Sequence, residues 1–72
     1  MNKDQIAGRW KQFEGQIKRR WAALTDDDLR EIDGKGEVLI GRLQERYGLA
    51  KEKAREEFEE FLRSMESAPS RP

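Results

Sequence analysis

Apolar side chains at Ile6, Trp10, Phe13, Ile17 and Trp21 follow one another at steps of four, three, four and four residues. That spacing places all five on one stripe of an α-helix, with lysine, arginine and glutamine on the other faces, and predicts a first helix over roughly residues 4–22. A short apolar bridge of Ala22, Ala23 and Leu24 leads to Thr25 and then to Asp26, Asp27 and Asp28. A threonine hydroxyl accepts from the free amides of a first helical turn, and carboxylates favour its positive end, so a second helix is expected to start at Thr25. Gly34 and Gly36 interrupt the pattern after Ile32, and Leu39, Ile40, Leu43 and Tyr47 mark a third helix. Gly48 supplies its stop, because glycine takes the left-handed backbone that satisfies the last carbonyls. Ala50, Ala54, Phe58, Phe61 and Met65 mark a final helix over roughly residues 50–65, and the tail 67–72, with two prolines, is expected to be loose.

A faint repeat runs through this pattern. At an offset of 26, Ile6, Gly8, Phe13, Gly15, Ile17, Arg20 and Trp21 fall on Ile32, Gly34, Leu39, Gly41, Leu43, Arg46 and Tyr47. The fold class expected is therefore all-α, a small bundle of about four helices arranged as two similar hairpins within one domain over residues 1–66. Glycine inside a helix costs nearly 1 kcal/mol relative to alanine, so Gly8, Gly15 and Gly41 are expected where another helix crosses closely.

Composition narrows the chemistry. The chain has 72 residues, of which 42% are charged, yet its net charge is zero. The charge is unevenly spread. Residues 1–24 hold six cations, Lys3, Arg9, Lys11, Lys18, Arg19 and Arg20, against Asp4 and Glu14, a net +4. Residues 25–33 hold five acids against Arg30, a net −4. Lys18, Arg19 and Arg20 fall in the last turns of the first helix and the aspartates in the first turn of the second, each set at the dipole end that favours it.

Histidine and cysteine are absent, which removes the commonest general base, the usual nucleophile pairs, disulfides and the usual transition-metal ligands. No cofactor is expected. The three aspartates do not follow calcium-loop spacing, because Arg30 stands where an oxygen ligand is needed. Neither a secretory signal nor an apolar span of about 20 residues occurs, so a cytoplasmic location without membrane association is expected, with a monomer as the simplest state. Lys11, Lys18, Arg19 and Arg20 remain as candidate contacts to nucleic acid or to a protein partner. Trp10 and Trp21 lie near them, but both fall on the stripe that a core claims, which leaves only a weak, salt-sensitive nucleic-acid interaction.

With these motifs in place, the sequence closely resembles the CsbD family of small bacterial stress-response proteins, and in particular its YjbJ-like members. The resemblance is carried by Trp10-Lys11-Gln12-Phe13, Gly15, Trp21, Leu24-Thr25-Asp26-Asp27-Asp28, Gly41, Gln44 and Tyr47-Gly48, and covers nearly everything except the tail. It departs at Ala22, where relatives often have glycine, which bears only on the shape of that turn. The resemblance implies a helical domain of two crossed hairpins, similar in arrangement to the SAM-domain-like folds, in an abundant cytoplasmic protein whose level rises under general stress. It implies no activity, since the family has no catalytic residues to carry over. The function expected is non-enzymatic, exercised through interaction with or protection of another macromolecule.

Overall fold

The computed structural model describes residues 3–66 and forms five helices: α1 (Lys3–Gly8), α2 (Trp10–Arg20), α3 (Asp26–Ile32), α4 (Gly36–Tyr47) and α5 (Lys51–Glu66). The expected tail, residues 67–72, lies outside the described residues. The predicted stripe is the core: Ile6, Trp10, Phe13, Ile17 and Trp21 are all buried, together with Leu39, Ile40, Leu43, Ala54, Phe58 and Phe61. Leu24, Leu29, Ile32 and Leu62 complete it. The α4–α5 pair is the most extensive helix contact, α3 packs on α4, and α1 touches both α2 and α4.

The single helix expected over residues 4–22 is two. Arg9 leaves helical backbone at φ −125° and ψ 35°, directly after Gly8, whose lack of a side chain makes a helix easiest to interrupt. Hydrogen bonding continues through the break: the Arg9 amide donates to the carbonyls of Gln5 (3.1 Å) and Ile6 (3.3 Å), and the Gln12 amide to that of Arg9 (2.9 Å). The turn brings Ala7 against Gly34, where a Cβ built on the glycine would fall 2.7 Å from the Ala7 Cα.

That contact corrects the expectation about glycine. A Cβ at Gly8, Gly15 or Gly41 would meet nothing within 4 Å, so these positions are not close helix crossings. Gly8 and Gly15 are exposed and Gly41 is half-buried, and at about 100° per residue all three fall on the side of their helices away from the apolar stripe. The close approach is at Gly34, which also has a φ of +81°, and Asp33 just before it is left-handed at φ 43°. Gly48 ends α4 as expected, at φ 66°.

Thr25 caps α3 as anticipated. Its hydroxyl accepts from the Asp28 amide (3.1 Å), while the Asp28 carboxylate accepts from the Thr25 amide (3.0 Å), so two orphan donors are satisfied reciprocally. The repeat is visible as structure, since the 26-residue offset carries the first residue of α2 onto that of α4 and pairs buried Phe13 with Leu39 and Ile17 with Leu43. It fails at its last pair. Trp21 is buried, whereas Tyr47 is 42% exposed and uses its hydroxyl to accept from the Ala23 amide at 3.1 Å. Ala50 is also exposed and precedes α5, its carbonyl accepting from the Ala54 amide (2.9 Å).

Candidate functional site

Two charged constellations stand out, and they do different work. The first joins α3 to α4. Asp28 is 3% exposed, and Arg46 grips its carboxylate with both Nε (2.8 Å) and Nη2 (2.9 Å) in a bidentate pair. Arg42 lies alongside, its Nε 3.5 Å from Asp28 Oδ1 and its two terminal nitrogens on Glu31 and Glu45. The Arg46 hydrogen bonds, and after them the Thr25 amide, hold the Asp28 carboxyl down to about 2 against the opposing effect of burial. Arg42 Nε is buried and has no hydrogen-bond partner among the described residues, so Asp28 compensates it only through space. The cluster acts as a clamp between α3 and α4.

The second lies where α2 ends against α5. The Trp21 ring meets that of Phe61 at a centroid distance of 5.5 Å, tilted by 52°, which anchors the end of α2 on α5. The Arg20 guanidinium sits 5.3 Å over the Trp21 ring, a cation–π arrangement, and 3.7 Å from a Glu60 carboxylate oxygen. Beside them opens a cleft of about 360 Å³, walled by Gln16, Arg19 and Arg20 from α2 and by Phe61, Ser64 and Met65 from α5. On the far side of Arg20 lies a second hollow of about 480 Å³, bounded by Trp21, Tyr47, Leu49 and Glu57. Arg20 is thus the shared rim of two neighbouring depressions.

The four cations singled out in the sequence do not form one face. At about 100° per residue, Lys18 and Arg20 stand roughly 160° apart around α2. Lys18 turns to Asp26 and forms an ion pair across the interhelical bridge, and its hydrogen bond is the main reason the Asp26 carboxyl titrates below its usual range. Lys11 is exposed beside the α1–α2 break, lining a separate depression with Arg9 and Asp33. Only Arg19 and Arg20 come together on the cleft, and Arg19 makes no ion pair among the described residues. Sequence reasoning missed Asp28, Arg42 and Arg46 as a unit. The Thr25-x-x-Asp28 spacing announces a cap, but nothing in the sequence announces that α4 lies over it. Among the described residues no group of three or more acidic side chains is placed to hold a metal ion, and no helix is long and apolar enough to cross a membrane.

A family model described as CsbD-like matches residues 4–56. The UPF0337 protein PA4738 of Pseudomonas aeruginosa is 57% identical over 61 residues, covering 85% of this chain and 94% of that protein. The UPF0337 protein ECA0631 of Pectobacterium atrosepticum is 60% identical over 57 residues, or 79% of this chain and 83% of that protein. The UPF0337 protein YjbJ of Escherichia coli K12 is 53% identical with the same coverage. No solved structure matches.

Proposed function

The chain belongs to the CsbD-like family, and from that premise we propose that it is a non-catalytic stress-response protein of the cytoplasm that works by holding other proteins. One observation carries this reading: the α2–α5 cleft sets Arg19 and Arg20 beside the half-buried Met65. Cationic and apolar surface placed together suits association with a polypeptide, because it offers both a charge-assisted contact and area to remove from water. The cations that a nucleic-acid face needs are divided between flanks of α2, and Lys18 is already paired with Asp26.

The test compares a deletion strain with its parent for survival and aggregated protein after heat or osmotic shock. A larger aggregate load in the deletion strain, returned to the parental level by a plasmid copy, is the expected result; indistinguishable strains sink the proposal. Fluorescence anisotropy of labelled DNA and RNA at about 50 mM and 200 mM salt provides the contrast. Binding that weakens with salt and vanishes when Lys18, Arg19 and Arg20 are reversed to glutamate would replace protein holding with phosphate contact.

A further inference from the structure

We propose that the α2–α5 cleft receives an acidic, apolar-flanked peptide segment of a partner protein, whose carboxylate replaces Glu60 on Arg20 and whose apolar neighbours lie on Met65. This rests on the reading that the chain holds other proteins, and adds where the partner sits and what chemistry it presents.

Arg20 is a cation prepared for an incoming anion. Its stacking on Trp21, itself fixed against Phe61, restricts the guanidinium before any partner arrives, so less freedom is lost on binding. Its intramolecular partner is a weak competitor, since the Glu60 oxygen stands at 3.7 Å, beyond hydrogen-bond distance, on a side chain 58% exposed. Arg19 adds a second positive charge on the same wall. The facing wall contributes Met65, whose flexible thioether moulds to varied apolar shapes, and the Ser64 hydroxyl, which can donate to a carboxylate or accept from a peptide amide.

Charge complementarity favours a peptide over a polyanion. The helix that forms the facing wall carries six glutamates against four cations across Lys51–Glu66, and Glu57 borders the adjoining hollow. A nucleic-acid backbone brings a charge roughly every 1.7 Å of duplex and would run from the two arginines straight onto that acidic surface. A segment with one or two carboxylates among apolar residues meets only the arginines.

The experiment uses the isotopically labelled full chain and three probes: a short synthetic peptide of alternating aspartate and leucine, the same peptide with lysine for aspartate, and an oligonucleotide of similar length. The acidic peptide is expected to shift the amide resonances of Gln16, Arg19, Ser64 and Met65, with little effect from the other two. Arg19→Glu, an exposed position, should weaken the acidic peptide about tenfold, whereas Lys11→Glu, an equal charge change away from the cleft, should leave its affinity within about twofold. Shifts confined to other surfaces, equal weakening by both variants, or preferential binding of the oligonucleotide would overturn the proposal. Expressing Arg19→Glu in the deletion strain separates the two levels. A variant copy that lowers the aggregate load as well as the wild-type copy removes the cleft but leaves protein holding intact, while a wild-type copy that lowers nothing removes both.

Discussion

Replacing Asp28 with asparagine removes the charge that Arg46 grips while keeping a side chain able to cap α3. Hydrogen bonds to charged groups contribute about 1.5 to 3 kcal/mol, and the Arg46 side chain is 42% exposed and can return to water, so a loss of about 2 kcal/mol is expected in a denaturant titration. The same carboxylate sets an acid limit. Its folded pKa of about 2 lies below the ordinary aspartate value, so its stabilisation is complete above about pH 4 and is lost as the pH falls through the folded value. Unfolding free energy should drop by about 1 to 2 kcal/mol between pH 5 and pH 2 from this group, a drop that Asp28→Asn abolishes; an unchanged slope in the variant would mean that other carboxylates govern acid sensitivity. Trp10, 7% exposed, stands for the core positions: Trp10→Ala should cost about 3 to 5 kcal/mol, as much as a domain this small commonly has, and leave the chain largely unfolded by circular dichroism.

Elements differ in how plainly the sequence announced them. The stripe from Ile6 to Trp21, the Thr25 cap and the Gly48 stop are local patterns, and each appears where its spacing puts it. The break at Arg9, the exposure of Tyr47 and the grip of Arg46 on Asp28 arise from one helix meeting another, and sequence spacing carries no trace of which helices meet. The glycines show the same division. Gly48 needs its left-handed backbone for a reason internal to α4, whereas Gly34 is required because Ala7 arrives from far along the chain. Alanine at Gly15 or Gly41 meets no neighbour and should raise stability by about 0.5 to 1 kcal/mol each, a rise of several degrees in Tm for a chain of this size. Alanine at Gly34 faces both a positive φ and the Ala7 backbone, and should lower stability by about 2 kcal/mol or more, visible in the same thermal scans.

Across the whole molecule, the basic first third and the acidic segment after it are not two separate fields. Lys18 folds back on Asp26, and Arg42 and Arg46 from α4 neutralise Asp28 and Glu31, so the acidic segment is met by cations from both sides. On the wall that α2 turns to α5, Arg19 has no ion pair among the described residues and Arg20 is held loosely, which is why the cleft, read from sequence only as a helix terminus, emerges once α5 is placed beside α2. The α1 helix offers a different lesson. Helices α4 and α5 are neighbours in the chain and close on each other with little loop entropy, but α1 is secured by Ile6 in the core and by Ala7 lying on Gly34, a union that forms only after both halves of the molecule exist. Assembly from the C-terminal pair outward is the expectation that follows, checked by exchange: amides of α1 should exchange with deuterium through a smaller opening free energy than those of α4 and α5. An α1 that opens first would make the backbone seat at Gly34 the joint that releases.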